Sequence, residues 1–501
     1  MKYETLAAVD LGSNSFHLQI GRVIDEQIYL LDSFREPVRL GAGLTRERRI
    51  DRSTQLRALE ALGRFGERLR GFPRGAVRAV GTNALRVAKN ATQFLAEAGA
   101  VLGHPIEVIF GREEARLIYI GVAHTLPPSA EKRLVVDIGG GSTECIIGTG
   151  LDPDLTESLT MGCVSYSLKF FAEGRLEKSG FKKAEVAAAN ELQRIVKSFR
   201  RAGWKEAFGS SGTAKALASI LRESGWCEQG ISAEGLEKLR AQFIKVGEID
   251  KLKVAGLRDD RAPILPGGIA IMSAVLSEFQ VDHIDVAEGA LRQGVLYDLL
   301  GRVRHHDMRE ATVVQFTRRY HVDASQAARV AALAGRLHAG LVPETGDDDT
   351  LVLSWACALH EIGISIAHAG YHKHSAYIIS QADMPGFSQM EQSRLSLLVL
   401  AHRGKLSKLE GLSARSDDWP LILALRLAAL FYLSRSDIAL PRIGCRATES
   451  GFQLSIERAW LDQHPLTEAA LENESDEWRS LGMKLEIRAG AEDKIRAAGA
   501  A

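Results

Sequence analysis

The feature that most constrains this chain is a repeat. Near its start the apolar run Leu6-Ala7-Ala8-Val9 ends in Asp10-Leu11-Gly12-Ser13-Asn14-Ser15 and resumes as the alternating Phe16-His17-Leu18-Gln19-Ile20. The pattern returns as Leu134-Val135-Val136, Asp137-Ile138-Gly139-Gly140-Gly141-Ser142-Thr143-Glu144 and Cys145-Ile146-Ile147. Each copy reads as strand, tight polar turn, strand. Two copies about one domain apart predict duplicated α/β lobes rather than a solenoid.

The rest of the chain fits around those two hairpins. Residues 53–72 carry helical spacing at Leu56, Leu59, Leu62 and Phe65, residues 76–80 read as a strand, and Gly81-Thr82-Asn83 opens a helix at Ala84. Residues 105–110 read as a strand and about 113–122 as a helix, before Thr125-Leu126-Pro127-Pro128-Ser129 breaks the chain. The second lobe runs through a helix around 184–200 to the turn Gly209-Ser210-Ser211-Gly212-Thr213, and ends with Ala287-Glu288-Gly289-Ala290-Leu291-Arg292. Ala and Leu at three- and four-residue spacing predict helices over 310–341 and 351–433. Beyond Asp437, residues 452–456 and 483–487 alternate like strands around an acidic, helix-like segment. The expected domains are two α/β lobes, 1–124 and 125–305, an all-helical domain, 306–437, and a small α+β domain, 438–501.

Composition narrows the function classes. With 63 Lys+Arg against 63 Asp+Glu the net charge is zero, which argues against indiscriminate nucleic-acid binding, so no DNA partner is expected. A local basic groove remains compatible with that balance. The five Cys residues (145, 163, 227, 357, 445) form no CxxC pair, which excludes a disulfide scaffold and a Cys-based zinc site and suits a reducing cytosol. No basic-then-apolar segment precedes Ala8, and the most apolar stretch, 421–433, is broken by Arg426 and shorter than the ~20 residues a membrane span needs. A cytoplasmic location with at most peripheral membrane association is the expectation.

The chemistry concentrates in the two Asp-Gly turns. Small residues at a hairpin tip free backbone N–H groups to form an anion-binding concavity. Gly12, Ser13 and Asn14 supply one such loop, and Gly139, Gly140, Gly141 and Ser142 the other. Asp10, Asp137 and Glu144 add carboxylates of the kind that hold Mg²⁺ together with phosphate oxygens. One copy alone reads as a Gly-rich turn with a capping Asp; two copies in equivalent settings favour the functional reading.

These residues resemble the two phosphate motifs of the exopolyphosphatase/guanosine pentaphosphate phosphatase family. The similarity continues through Gly81-Thr82-Asn83-Ala84-Leu85-Arg86, Glu113-Glu114-Ala115-Arg116-Leu117-Ile118-Tyr119, Gly209-Ser210-Ser211-Gly212-Thr213, His360-Glu361-Ile362-Gly363 and His372-Lys373-His374-Ser375-Ala376-Tyr377, and so spans nearly the whole chain. The chain is most like a full-length bacterial exopolyphosphatase. The resemblance implies two ribonuclease-H-like lobes of the actin and hexokinase type, followed by a helical HD-like domain. It also implies hydrolysis of a terminal phosphoanhydride, with Glu114 as the catalytic carboxylate. Phosphate would be held by Gly12, Ser13, Asn14, Ser15, Arg86, Gly139, Gly140, Gly141, Ser142 and Thr143, and metal by Asp10, Asp137 and Glu144. Expected cofactors are Mg²⁺, with Mn²⁺ as a substitute and K⁺ as a stimulant. Expected partners are inorganic polyphosphate or guanosine pentaphosphate (pppGpp), and a second copy of the chain in a homodimer.

Other readings compete at single residues. Glu114 is also placed as a first-turn acid favoured by the helix dipole, whereas Glu113, about 100° round the helix, should point elsewhere. Arg39 is either a second phosphate clamp or a solvated side chain. His338, His360-Glu361 and Asp437 follow the order of the HD phosphohydrolases, but a His-Glu pair stands where that pattern needs His-Asp, and packing roles compete. His368, His372 and His374 suggest a metal box; the same stretch, with Lys373, Arg302, Arg304, Arg318 and Arg319, also suits a basic path for a polyanion. A sugar kinase or ATPase of the same superfold and a non-catalytic polyphosphate or alarmone sensor are the rival classes; the catalytic Glu and the loop Ser13-Asn14-Ser15, which resembles the phosphatase form, argue against the first, and the intact Asp10, Glu114, Asp137, Glu144 set against the second.

Overall fold

A computed structural model describes residues 3–24, 27–303, 307–343, 347–409, 411–413 and 416–490. The chain divides into two compact units, Met1–Met308 with Pro385–Gln389, and Arg309–Met384 with Met390–Ala501.

The first unit holds two sheets. Strands β1 (Thr5–Leu11), β2 (Phe16–Ile24), β3 (Gln27–Glu36), β4 (Val77–Gly81) and β5 (Ile106–Val108) lie in the order β3-β2-β1-β4-β5. Strands β6 (Lys132–Ile138), β7 (Thr143–Thr149), β8 (Asp152–Leu159), β9 (Glu206–Ser210), β10 (Ile231–Ser232) and β11 (His283–Val286) lie in the order β10-β11-β9-β6-β7-β8. In both sheets an antiparallel meander is extended by two parallel strands on its far side, and in the second sheet the short β10 adds an antiparallel edge to β11. The repeat read from the sequence is therefore a repeat of topology, as in the actin and hexokinase fold.

Alternation along the central strands explains their near-continuous apolar character. Ala7, Val9 and Leu11 face a core under the helices Arg52–Arg68 and Ala91–Leu102, while Leu6 and Ala8 face a second core. In the other lobe Leu134, Val136, Ile138, Cys145 and Ile147 enter that lobe's own core, and Val135 and Ile146 join the same core as Leu6 and Ala8. A strand buried on both faces must be apolar at every position. The shared core also takes Leu117, Ile118 and Tyr119 from the helix Gly111–Ala123, and Leu291, Val295 and Leu299 from the helix Leu291–Val303.

The second unit is mainly helical, with Ala324–Leu341, Asp347–Leu359, Tyr371–Gln381 and Asp418–Phe431 among its helices. It also contains a sheet of β12 (Ile443–Thr448), β13 (Gly451–Glu457) and β14 (Lys484–Gly490), antiparallel then parallel, with the acidic helix Pro465–Ser480 between the last two strands. Among the described residues one stretch, Ala262–Phe279, is long and apolar enough to cross a membrane, and about two thirds of it is buried within the protein. The helix within it, Leu265–Phe279, packs in the second lobe.

Candidate active site

Both hairpin loops are pinned from behind. In the first, the Ser13 and Asn14 carbonyls accept from the Gly41 and Arg39 amides, each at 2.7 Å. In the second, the Gly139 carbonyl accepts from Cys163 N–H (2.9 Å) and the Gly140 carbonyl from Val164 N–H (3.0 Å), at the start of the helix Cys163–Phe170. In a planar trans peptide the N–H points opposite to the C=O. Fixing these carbonyls therefore turns the amides of Asn14, Ser15, Gly140 and Gly141 the other way. The two loops meet tip to tip: a Cβ on Gly140 would stand 3.1 Å from Ser13 Cβ and 3.5 Å from the Asn14 nitrogen.

The strand alternation that builds the core also sorts the acids. Asp10 lies on the face of Leu6 and Ala8, Asp137 on that of Val135, and Glu144 on that of Ile146, so all three side chains stand at the shared layer. Thr143 departs from expectation. It is fully buried, on the opposite face with Cys145 and Ile147, and its hydroxyl donates to the Met161 carbonyl at 2.7 Å. Its side chain is not available to phosphate, for the same reason that Glu144's is well placed.

Burial raises Asp10 to about 7, with Glu114 and Asp137 adding to the rise and Arg292 opposing it. Burial likewise raises Asp137 to about 6, against a hydrogen bond from Ser210, and raises Glu144 well above the carboxylate range, reinforced by Glu114 and Asp137. The four acids are thus close enough to repel one another. Asp10 Oδ1 is buried with no hydrogen-bond partner. A partnerless oxygen in a crowd of carboxylates suits a hard cation. Among the described residues no three His, Cys, Asp or Glu side chains are grouped to hold an ion by themselves. A cation here would complete its shell with phosphoryl oxygens and water, the habit of Mg²⁺.

Glu114 sits in the first turn of the helix Gly111–Ala123, buried, with Oε2 2.6 Å from Arg86 Nη1. Arg86 Nη1 also donates to the Ile109 carbonyl at 3.1 Å, so one guanidinium fixes the carboxylate to the backbone at the helix entry. Glu113 points elsewhere, as its helical position requires. It takes two 2.7 Å bonds from Arg116 and the Gly386 amide at 3.0 Å, in a buried network where Asp298 pairs with Arg116, Arg78 and Arg302. Arg302 is thereby tied to Asp298 and to the Gly386 carbonyl (2.7 Å), which removes it from the expected polyanion path. Arg304 lies outside the described residues.

Four basic groups to which the sequence analysis gave no role also meet here: His17, Arg35, Arg261 and Arg292. His17 pairs across β1–β2 with Asp10, as Glu144 pairs across β6–β7 with Asp137. Burial, then Arg292, Arg35 and Arg261, lower His17 to about 2, so the imidazole is neutral inside a strongly positive field. Arg35 bonds Ser15 Oγ (3.3 Å) and Asp260 (3.1 Å). A groove beside the first loop is lined by Arg35, Pro37, Arg39, Leu257, Arg258 and Asp260. Arg39 is exposed there, and its backbone, at φ 56°, supports the loop. Ser211, in the Gly209-to-Thr213 turn, holds a left-handed φ of 82°, unusual for a serine; such strain gathers at functional sites.

In the second unit the HD-like set is not assembled. His338 and His360 are buried, but Glu361 is paired with Arg435 at 2.6 Å, and Asp437 is exposed and paired with Arg329 at 3.1 Å. Among the described residues His368, His372 and His374 belong to no group able to hold a metal ion.

Residues 19–303 match the Ppx/GppA phosphatase family, and residues 308–475 match Ppx/GppA phosphatase, domain III. The first match starts after the loop at 12–15, whose place in the site rests on its structural equivalence to the second loop. Among solved structures, an Aquifex aeolicus PPX-GPPA enzyme is 27% identical with a TM-score of 0.50, over 58% of this chain and 98% of its own. An exopolyphosphatase from Cytophaga hutchinsonii is 26% identical with a TM-score of 0.55, over 60% of this chain and 98% of its own.

Proposed function

The chain belongs to the Ppx/GppA phosphatase family, and from that premise we propose that it removes terminal phosphate from inorganic polyphosphate as orthophosphate. The observation that carries this reading is Glu114, buried and held at 2.6 Å by Arg86, among Asp10, Asp137 and Glu144 and beside two loops with their amides turned outward.

Phosphoryl transfer asks for positioning and charge neutralisation more than for covalent chemistry. The amides at 14, 15, 140 and 141 bind the oxygens of adjacent phosphoryl groups. Arg86 keeps Glu114 in one orientation and offers its remaining N–H groups to the terminal phosphoryl. Glu114 orients a water in line with the scissile bond and accepts its proton. Asp10, Asp137 and Glu144 would hold Mg²⁺, which supplies charge neutralisation on the phosphoryl oxygens when bound. Arg292, whose Nε is buried without a partner, adds fixed positive charge. We further propose that the protein acts as a cytoplasmic homodimer.

One observation favours a second substrate. Pro37 and Leu257 give the arginine-lined groove an apolar surface, which a nucleoside would use and a bare polyphosphate would not. Guanosine pentaphosphate presents the same terminal phosphoanhydride. Orthophosphate release from long polyphosphate, pppGpp and ATP, each with Mg²⁺, separates the readings. The expected result is the highest kcat/KM on polyphosphate. Turnover confined to pppGpp would establish the second substrate, and turnover of ATP alone would remove both.

A further inference from the structure

We propose that Glu113 is a positioning residue for the reaction: clamped by Arg116 and by the Gly386 amide, it fixes the helical turn that presents Glu114, and so makes the segment Pro385–Gln389 part of the working active site. The proposal rests on the reading of Glu114 as the carboxylate that orients the attacking water.

The first turn of an α-helix has amides with no partner inside the helix, so its direction is set from outside. In the helix Gly111–Ala123 that turn holds both Glu113 and Glu114, and its N-cap, Phe110, supplies no side-chain bond. Two clamps stand in for the cap. On one side Arg86 joins the Glu114 carboxylate to the Ile109 carbonyl. About 100° round the helix, Glu113 accepts from Arg116, one turn on, and from the Gly386 N–H, 273 positions away in the chain.

Pro385–Gln389 lies in sequence between the helices Tyr371–Gln381 and Gln389–Ala401 of the second unit, yet it packs as part of the first. Gly386, Phe387 and Ser388 are buried, whereas Asp383 and Met390 on either side are exposed. Charged side chains hold both polar groups of Gly386: its N–H donates to Glu113 at 3.0 Å, and its carbonyl accepts from Arg302 Nη2 at 2.7 Å. That presentation uses a φ of 88°, in the left-handed region that glycine tolerates.

One buried network frames the contact. Asp298 accepts from Arg116, from Arg78 Nη1 (2.6 Å) and from Arg302 Nε (3.2 Å), and Arg78 Nε goes on to Glu107 (3.2 Å). Burial works against the Asp298 charge, but Arg116, Arg78 and Arg302 outweigh it and hold the carboxyl well below the usual carboxylate range. Such a network is a weak source of stability, because desolvation offsets most of the attraction. What it secures is geometry, through directional charge-assisted bonds. Here that geometry is set one residue from Glu114, and a displacement of about 1 Å at a reacting group costs on the order of 10²-fold in rate.

Two variants approach the contact from opposite ends. Glu113→Gln removes the charge that Arg116 and the Gly386 amide share, and Gly386→Ala puts a Cβ on a left-handed φ and shifts that amide. In the full-length protein with Mg²⁺, each is expected to lower kcat on polyphosphate roughly tenfold with KM within about twofold of wild type. The double variant should be at most about twofold worse than the worse single one, as for one shared contact. Added to Glu114→Gln, Glu113→Gln should change the residual rate less than about twofold, because the group it positions is already gone. A merely structural loss would repeat the same factor in both backgrounds. That result, or a kcat at the wild-type level in both single variants, would overturn the proposal. Should Glu113→Gln fail to fold, Gly386→Ala serves in the same comparison. Hydrogen exchange without substrate gives a second readout. The Glu114 amide, which donates to the Phe110 carbonyl at 2.8 Å, should exchange several-fold faster in Gly386→Ala, with the helix Ala91–Leu102 unchanged. Equal exchange in the two proteins would also overturn the proposal. Failure of the catalytic reading looks different: Glu114→Gln would keep the wild-type rate while the exchange difference remained.

Discussion

At the scale of single residues the centre is defined by acids that are costly to ionise. Asp10 and Asp137, raised to about 7 and about 6, bind protons more tightly in the folded chain than in the unfolded one. Their contribution to stability is therefore complete below about pH 4 and is lost as the pH rises through 6 to 7. At about 1.4 kcal/mol per pKa unit, Asp10 alone accounts for on the order of 4 kcal/mol across that window. In EDTA the Tm should fall between pH 5 and pH 8, and Asp10→Asn should flatten the decline. Mg²⁺ should raise the Tm at pH 8 and have little effect at pH 5, where the acids are largely protonated. A decline equally steep in Asp10→Asn would remove Asp10 from the account.

At the scale of elements the site is two hairpins held in register by what packs behind them. Gly162 is one such contact: a Cβ there would fall inside van der Waals contact with the Gly140 carbonyl group and the Gly141 nitrogen. Those are backbone atoms of the second phosphate loop and cannot swing aside as a flexible side chain would. Gly162→Ala should therefore lower kcat/KM for polyphosphate at least tenfold, while overpacking costs about 1–3 kcal/mol of stability. A phosphate-release assay within twofold of wild type would show that the loop's position does not matter. The hairpins were legible because apolar runs flank a polar turn twice, and the helix Gly111–Ala123 because its spacing is regular. Strand β3 was not: Tyr29, Leu30 and Leu31 are consecutive exposed positions on an edge strand, with no alternation to read. The helix Leu265–Phe279 is buried nearly all round, which erases its period. At the site, Glu114 and Arg86 lie in local motifs. Arg35, Arg261 and Arg292 reach it from distant segments and leave no spacing. His17 was recoverable, since the repeat sets it opposite Asp10 as it sets Glu144 opposite Asp137.

At the scale of the whole molecule, the family match runs through both units, whereas the two solved relatives correspond to 58% and 60% of this chain. The exposed apolar residues of β3 lie on an unpaired sheet edge, a surface that chains commonly cover by pairing. Closed two-fold pairing is the commonest assembly, and light scattering at micromolar concentration should give twice the 54.6 kDa chain mass; a monomer mass would contradict the homodimer. The central claim, that this protein shortens polyphosphate from its end through Glu114, is tested most directly by ³¹P NMR of long polyphosphate with Mg²⁺ and either wild type or Glu114→Gln. Wild type should release orthophosphate, and the variant should bind the polymer but release it roughly 10²-fold more slowly or less. Orthophosphate appearing at the wild-type rate with Glu114→Gln, or internal chain cleavage by the wild type, would contradict the account.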